Sequence, residues 1–280
     1  MIRRIALGTL IAAAGFTAWL TLSPPAQAQA PQPPRKKRLL AIGQVKGFQH
    51  DALSDALGYM WKMGKESGQW DTYIRTDTQL LTKKKLTGNA KNIDYFDAVY
   101  FYTTGELDLD DEQKAALISF VKEEGKGFIG GHTAIDTNYQ WPEYGEMVGG
   151  YFDRHPWNTF MAPIIVEDRD HPIMRHFPKE FTVLDEIYQA RNQDRKNVRV
   201  LARLDETKLD MKNPNIRRTD SDFAVAWVKT YGKGRVFYST FGHHDKSLDR
   251  PDIQKMFFEA TRWAMKLVDG DATPRPRPAN

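Results

Sequence analysis

DAVYFYTTGELDLDDEQKAALISFVKEEGKGFIGG, residues 97–131, has the pattern of one strand–helix–strand unit. Its first eight residues are almost continuously apolar, which is typical of a strand covered on both faces of a parallel sheet. The acidic run at Asp110 predicts a capped helix start, and Leu117 and Phe120 form the inner face of that helix. The glycine-rich segment at 125–131 is a second buried strand. The unit predicts an α/β fold built on a parallel sheet.

The same alternation of short apolar runs and amphipathic helices extends outward in both directions. On the N-terminal side it predicts a strand at 38–45, a helix at 50–68 and a strand at 70–77. On the C-terminal side it predicts strands at 159–168, 183–190 and 197–204, a hairpin at 222–243 and a last helix at 251–268. This order favours a doubly wound sheet with extra β-hairpin elements in the C-terminal half.

The two ends of the chain differ in composition from this domain. Residues 1–28 combine a basic start, an apolar run and a small-residue A-x-A site, which is typical of a secretory signal peptide cleaved after Ala28. An uncleaved membrane anchor is the alternative, because the apolar run is nearly long enough to span a bilayer. We expect a linker at 29–37, the folded domain at 38–268 and a disordered tail at 269–280. The protein is therefore predicted to be periplasmic or secreted.

Composition excludes several classes of function. The 280-residue chain contains no cysteine, which excludes disulfides, thiolate metal sites and a cysteine nucleophile. Its formal charge of +4 falls to +2 with the signal peptide, because Arg3 and Arg4 leave and no acid does. So small a surplus, with lysines and arginines scattered along the chain, does not indicate a nucleic-acid partner. We expect neither nucleic-acid binding nor, after cleavage, membrane association.

Polar clusters follow three of the predicted parallel strands. The segment GQVKGFQH leaves the first strand and ends in His50, the third strand is followed by Glu106, and the loop 130–156 leaves the fourth. In an open parallel sheet, ligands bind outside the carboxyl ends of the strands. We therefore expect these clusters to meet at one rim, with His50 and Glu106 in contact with the substrate.

His132 and Asp136 open the long loop and are the first candidates for chemistry. The turn GGHTA resembles a nucleophile elbow in shape, but the chain has no G-x-S-x-G, so His132 would act as a general base, an electrophile or a metal ligand. A histidine that only hydrogen-bonds the loop backbone is the alternative. If the loop makes a helical turn, Asp136 shares the face of His132 and orients it or joins it on a metal; otherwise it caps a short helix.

Two further polar pairs lie in the C-terminal half. Asp185 and Glu186 are adjacent in a predicted strand, so their side chains point to opposite faces and one of them faces the cleft. One of His243 and His244 reaches the site, and the sequence leaves open which one. His155 stands before a proline in a turn, which favours a structural role.

Four blocks of the sequence, in this order, resemble the trehalose-utilisation (ThuA-like) family. They are HTAIDTNYQWPEYGEMVGGYFDRHP (132–156), VEDRDHPIMRHFP (166–178), LDEIY (184–188) and FAVAWVKTYGKGRVFYSTFGHH (223–244). The resemblance covers the whole domain at 38–268 and implies a flavodoxin-like fold related to class I glutamine amidotransferases, without their catalytic cysteine.

The resemblance and the rim together select the site residues, with a divalent metal left open. The loop aromatics Trp141 and Tyr144 are either core packing or a stacking surface for a sugar. The expected catalytic residues are His132, Asp136, Glu186 and His243, of which His132, Asp136 and His243 would hold the metal. The expected substrate contacts are His50, Glu106, Trp141, Tyr144, Tyr188 and His244.

The resemblance implies sugar catabolism, notably of glycosides oxidised to 3-keto forms. Such a sugar has an acidified C–H beside its carbonyl, so His132 or Glu186 would remove the proton while His243, or a metal, polarises the carbonyl. The expected partners are a carbohydrate substrate and, functionally, a sugar oxidoreductase. Two alternatives stay open: a glycosidase that uses Glu186 with Asp136, and a non-catalytic periplasmic sugar-binding module.

Overall fold

The computed structural model of the chain describes residues 35–88 and 91–278. The predicted signal peptide at 1–28 lies outside these residues, and so does most of the predicted linker. From Lys36 onward the chain forms one compact unit. No helix in the described part of the chain has the length and apolar character needed to cross a membrane.

The elements follow the predicted order along the chain. The strands are β1 (Lys37–Ile42), β2 (Trp70–Arg75), β3 (Ala98–Phe101), β4 (Gly127–Gly131), β5 (Tyr151–Phe152), β6 (Thr159–Val166), β7 (Glu180–Glu186), β8 (Ala190–Arg191), β9 (Arg199–Leu204), β10 (Ala224–Tyr231) and β11 (Gly234–Ser239). The helices are α1 (Leu53–Ser67), α2 (Asp111–Lys122), α3 (Pro142–Val148), α4 (Asp245–Leu248) and α5 (Pro251–Ala264). Short 3₁₀ turns occupy Ile93–Tyr95, His132–Ile135 and Glu206–Lys208.

Nine of the strands form one mixed sheet in the order β2-β1-β3-β4-β11-β10-β9-β6-β7. The strands from β2 to β11 in this order are mutually parallel, and the pairs from β11 to β7 are antiparallel. The parallel part has the flavodoxin-like order, in which the chain reverses direction across the sheet between β1 and β3. The predicted fold class, a flavodoxin-like and glutamine amidotransferase-like doubly wound sheet extended by antiparallel strands, is confirmed.

Helices cover both faces of the sheet, which explains the continuous apolar runs in its strands. One buried cluster joins α1 and α5 to one face, and a second joins α2 and α3 to the other. The predicted cap of α2 is present, because the Asp110 carboxylate accepts from the Gln113 backbone amide and the Asp110 backbone amide donates to Oε1 of Gln113.

The loop 130–156 contains helical and strand segments that its amino-acid composition does not predict. It begins with the 3₁₀ turn, continues into α3 and ends in β5, which pairs with β8. A side chain at Gly131 would meet the Tyr100 hydroxyl at 2.5 Å, so the chain leaves β4 through a glycine. Two aromatic side chains of the loop, Tyr144 and Tyr151, are buried in the fold.

Charged side chains of the C-terminal segment, where a disordered tail is predicted at 269–280, have partners in the described part of the fold. Asp271 pairs with Arg199 at 2.8 Å, the Arg275 guanidinium donates to the Glu167 carbonyl at 2.9 Å, and Arg277 pairs with Glu206. The segment is too poor in apolar residues to pack a core, but its charged side chains meet partners around the ends of β6 and β9. The composition of the segment shows that it lacks apolar residues, but it does not show which charged side chains find partners.

Buried His171 gives the fold a pH dependence. Its ring packs 5.8 Å from the Trp263 ring, and burial lowers its pKa to about 4, so the folded state favours neutral imidazole. Its contribution is complete above pH 6.5 and is lost as the pH falls towards 4, by up to about 3 kcal/mol. We expect His171→Gln to unfold with a shallower pH dependence in urea titrations between pH 6.5 and 4. Equal slopes for both proteins would contradict this assignment.

Candidate active site

Four side chains from separate parts of the chain converge at the carboxyl ends of the parallel strands. They are His50, His132, Glu186 and His243, and each offers one nitrogen or oxygen atom within 4.8 Å of the others. We call these four residues the His–Glu cluster. In the described part of the chain it is the one group of three or more histidine or carboxylate side chains that could hold a metal ion.

Sheet topology accounts for this convergence. His50 follows β1, His132 follows β4 and His243 follows β11, and parallel strands end at the same edge. Glu186 is the last residue of the distant edge strand β7. The chain after it crosses to β11, where the Tyr188 amide donates to the Thr240 hydroxyl at 2.9 Å.

His132 forms the floor of the cluster and is fully buried. Its Nδ1 lies 2.6 Å from the Thr240 carbonyl oxygen, which can only accept, so Nδ1 carries the proton of the neutral ring and Nε2 holds a lone pair. That Nε2 lies 3.2 Å from Nδ1 of His243. Burial, helped by the neighbouring His50, lowers the pKa of His132 well below its usual value. The ring is therefore a neutral acceptor or ligand aimed at the cluster.

The adjacent acids Asp185 and Glu186 have separate tasks, as predicted from their alternation in a strand. Asp185 accepts from the backbone amides of Gly242 at 2.7 Å and His243 at 3.1 Å, and so fixes the turn that carries His243. Glu186 points the other way, with Oε1 3.2 Å from Nδ1 of His243. Burial raises the pKa of Glu186, but the hydrogen bond and charge of His243 outweigh burial and hold the pKa below its usual value.

The three imidazole rings of the cluster form a nearly regular triangle. The ring centroid of His50 lies 5.1 Å from that of His132 and 4.9 Å from that of His243. The centroids of His132 and His243 are 5.1 Å apart. The planes cross at 77°, 84° and 74°. Burial, followed by the charge of His243, lowers the pKa of His50 to about 4. The environment thus favours the uncharged form of the His50 and His132 rings, which leaves a lone pair on each.

A pocket of about 210 Å³ opens above the cluster. Its lining residues are Phe48, His50, Asp136, Phe152, His155, Glu186, Tyr188 and His243. Sites for drug-sized ligands measure roughly 300–1,000 Å³, so this pocket matches about one small ring. Phe48 is 66% exposed at its mouth, and the Phe152 and Tyr188 rings lie 4.3 Å apart in its wall. The pocket therefore combines apolar walls with a polar floor.

Trp141 and Tyr144, expected as substrate contacts, belong to the core. Tyr144 is fully buried and donates to the Ala134 carbonyl at 2.6 Å, and Trp141 stacks on it with ring centroids 5.6 Å apart. Both are positioned by α3, which begins at Pro142. Of the two alternatives for these aromatic residues, core packing and a sugar-stacking surface, the structure shows core packing.

Glu106 and His244 also lie outside the pocket lining. The Glu106 carboxylate accepts from the Gln140 amide at 3.2 Å, which fixes the loop. His244 Nε2 lies 2.8 Å from the Thr159 hydroxyl, so His243 is the member of the pair that faces the pocket. Both side chains therefore bond to residues outside the pocket lining.

Asp136 lines the pocket but is not part of the His–Glu cluster. Its carboxylate is hydrogen-bonded to the Tyr139 hydroxyl. The metal set expected from sequence, with Asp136 beside His132 and His243, therefore differs from the His–Glu cluster, which has His50 and Glu186 in place of Asp136. The segment His132–Ile135 is a 3₁₀ turn with three residues per turn, so a residue four positions later does not stack on the first.

Three pocket residues carried little sequence signal. Phe48 and Phe152 are single aromatics in irregular segments, and His155 was assigned to a turn. His155 Nδ1 lies 3.5 Å from Glu186 Oε2, and its ring stacks 5.9 Å from the Phe152 ring. The position of Phe48 two residues before His50, on a loop already assigned to the rim, is the signal from which its role could have been inferred.

A flavodoxin-like sheet with a histidine–carboxylate cluster at the carboxyl ends of its parallel strands, in a chain without cysteine, defines a doubly wound α/β protein with a candidate active site. The chain belongs to the ThuA (trehalose utilisation) family, whose model matches residues 38–264.

Solved structures show the same fold at low sequence identity. A ThuA-like protein from Bacteroides uniformis superposes with a TM-score of 0.66 at 22% identity, over 84% of this chain and 95% of its own. One from Parabacteroides merdae gives 0.63 at 15%, over 82% and 90%. A cytoplasmic protein from Salmonella typhimurium LT2 gives 0.54 at 15%, over 81% and 99%. No curated protein sequence matches the chain.

Proposed function

We propose that the chain is an exported enzyme of carbohydrate catabolism that removes a proton beside the carbonyl of a keto-glycoside and eliminates the group at the anomeric carbon. One observation carries this proposal: a pocket sized for about one ring holds the His–Glu cluster and the separate carboxylate of Asp136. Deprotonation beside a carbonyl needs a base and a group that stabilises the developing enolate oxygen. Both kinds of group are present in this pocket.

Asp136 is the base in this proposal, in place of His132 or Glu186. His132 lies beneath the pocket and is absent from its lining, and Glu186 is engaged by His243 and His155. Burial raises the pKa of Asp136, with the charge of Glu186 adding to the effect and the Tyr139 hydrogen bond opposing it. A raised pKa makes this carboxylate a stronger base than an ordinary aspartate side chain.

The His–Glu cluster stabilises the oxygen on which charge develops. Asp136 accepts the proton from the carbon between the carbonyl and the anomeric carbon, and the C–H electron pair moves into an enolate. The enolate re-forms the carbonyl, a double bond forms to the anomeric carbon, and the leaving alkoxide departs with its bonding pair. The alkoxide then takes the proton from Asp136. Protons and electrons balance without an external oxidant or reductant.

The aromatic wall gives the pocket its affinity for a sugar. Phe48, Phe152 and Tyr188 present ring faces or edges around the polar floor. The C–H face of a sugar ring buries apolar surface against such groups, while its hydroxyls remain available to Asp136 and to the cluster. A keto-glycoside is the product of an oxidation, so a sugar oxidoreductase must supply it.

A glycosidase is the second candidate, and one observation favours it. Two carboxyl groups line the pocket, and their environments separate them: the pKa of Asp136 is raised by burial, and that of Glu186 is lowered by His243 despite burial. Such a pair could divide the roles of acid and base. A glycosidase would cleave ordinary glycosides and would show no preference for keto-glycosides.

Incubation with matched pairs of substrates separates the candidates. Purified protein is mixed with glycosides and with their 3-keto derivatives, and products are followed by NMR. We expect conversion of the keto forms alone. Cleavage of the ordinary glycosides would select the glycosidase, and saturable binding with no turnover of any substrate would select a sugar-binding module.

Export makes a prediction of its own. The A-x-A site places cleavage after Ala28, so mass spectrometry of the protein from a periplasmic extract should find Gln29 as its N-terminal residue. A version with Ala28→Leu is expected to retain its leader, because the cleavage site requires a small residue. Wild-type protein that is found entirely in the cell interior, with Met1 intact, would contradict export.

A further inference from the structure

We propose that the His–Glu cluster binds one divalent transition-metal cation of the zinc class, with an open coordination position towards the pocket. This inference rests on the pocket of the proposed function and identifies the group that polarises the substrate carbonyl. It stands on geometry: four donor atoms, three of them imidazole nitrogens and one a carboxylate oxygen, lie within 4.8 Å of one another.

The hydrogen bonds within the cluster leave one acceptor without a donor. His132 gives its Nδ1 proton to the Thr240 carbonyl, so its Nε2 has none. His243 Nδ1 lies 3.2 Å from that Nε2 and also 3.2 Å from Glu186 Oε1, and it holds at most one proton for these two acceptors. If the proton goes to Glu186, the fully buried Nε2 of His132 has no donor, which is costly. A cation between the three atoms would satisfy all of them.

The distances fit a tetrahedral centre. In a zinc site with bonds of about 2.0–2.1 Å, neighbouring donor atoms lie roughly 3.4 Å apart, close to the separations just described. Three imidazoles bound in this way have ring centroids roughly 5 Å apart. The rings of the cluster lie 4.9 to 5.1 Å apart. Only small adjustments would therefore be needed to enclose the ion.

The donor set also selects the kind of cation. Neutral imidazoles suit zinc and its first-row neighbours, whereas Mg²⁺ and Ca²⁺ prefer oxygen ligands. Imidazoles bind a metal in their neutral form, so the bound set of three rings and one carboxylate would carry a net charge of −1, which favours a divalent ion. The surrounding bonds are those of a supported site: the Thr240 carbonyl orients His132, and Asp185 holds the backbone of His243.

The position of the cluster leaves one side of the ion accessible. His132 lies beneath the floor of the pocket, while His50, Glu186 and His243 line it. An ion held by these residues would face the cavity and could accept a carbonyl oxygen or a water molecule. Because all four donors come from the protein, such an oxygen would be a fifth ligand, a coordination number that catalytic zinc sites also reach.

Direct metal binding tests the inference. Untagged protein is stripped with a chelator and titrated with Zn²⁺ and, separately, with Mg²⁺ by calorimetry, and Co²⁺ loading is followed by visible absorption. We expect about one equivalent of Zn²⁺, no Mg²⁺ binding, and Co²⁺ bands typical of a four- or five-coordinate nitrogen and oxygen site. Absence of Zn²⁺ binding to the stripped native protein would overturn the inference.

Variants locate the ion. His243→Gln and Glu186→Gln, on different elements, are each expected to weaken Zn²⁺ binding roughly 100-fold or more, beyond the 10- to 100-fold range of residues that only support a ligand. His244→Gln is the matched control and should bind Zn²⁺ as the native protein does, because His244 contributes no atom to the cluster. Native-like Zn²⁺ affinity in both cluster variants would overturn the inference.

The proposed metal site and the proposed function can be contradicted independently of each other. Zn²⁺ bound at the cluster by a protein that converts no keto-glycoside would contradict the proposed function and support the metal site. Conversion of keto-glycosides by protein that binds no Zn²⁺ would contradict the metal site and support the function.

Discussion

Asp136→Asn should lower kcat on a 3-keto-glycoside by roughly 100- to 10,000-fold, the range for loss of a positioned general base. Asparagine keeps the shape of the side chain and an oxygen for the Tyr139 hydroxyl, so the substrate dissociation constant should change little. Single-turnover rates and equilibrium binding measure the two effects separately. Near-native kcat in this variant would show that another group removes the proton.

Tyr139→Phe is the companion variant, and it changes the pH profile. The Tyr139 hydrogen bond lowers the pKa of Asp136, against burial and the charge of Glu186, which raise it, while the charge of His155 also lowers it. Removing the hydroxyl should raise this pKa further. The acidic limb of kcat/KM against pH should therefore move to higher pH. An unmoved limb, or one at lower pH, would contradict the assignment of Asp136.

His243→Gln should lower kcat by roughly 100- to 1,000-fold, as expected when a group that stabilises a developing oxyanion is removed. His243 joins the other members of the cluster at 3.2 Å on two sides and lines the pocket, so its loss removes the polarising group and opens the cluster. Asp185 bonds the backbone at this position and not the ring, so the turn should keep its course. The measurement is kcat with saturating keto-glycoside.

His244→Gln is the control for this change, since it alters the neighbouring histidine. His244 bonds to Thr159 outside the pocket lining, so its kcat should stay within about threefold of the native value by the size of effects expected away from the reacting groups. Equal losses in the two variants would mean that the turn as a whole, and not the His243 ring, is required.

Much of the fold could be predicted because its signals are local. The apolar runs of the parallel strands, the cap at Asp110 and the amphipathic face of the last helix each express a physical requirement within a few residues. The order of strands in the antiparallel half could not be derived, because β6, β9 and β10 pair across long stretches of chain. The sequence of each strand does not state its partner.

The residues of the candidate site likewise fall into those that local sequence signals predict and those that depend on tertiary contacts. The rule that ligands bind at the carboxyl ends of parallel strands places His50 and His132 together, and strand alternation separates Asp185 from Glu186. Whether His243 or its neighbour faces the pocket depends on a turn held by Asp185, which is a tertiary contact. The position of Asp136 depends on a 3₁₀ turn, whose spacing differs from the helical spacing assumed for it.

The proposed reaction begins with proton removal beside a carbonyl in the pocket above the His–Glu cluster. NMR in D₂O tests it most directly: purified protein is mixed with a 3-keto-glycoside, and the proton on the carbon between the carbonyl and the anomeric carbon is followed as the aglycone is released. We expect that proton signal to disappear no later than the aglycone appears, with Asp136→Asn blocking both. Release of the aglycone with that proton fully retained in the sugar product would contradict the mechanism.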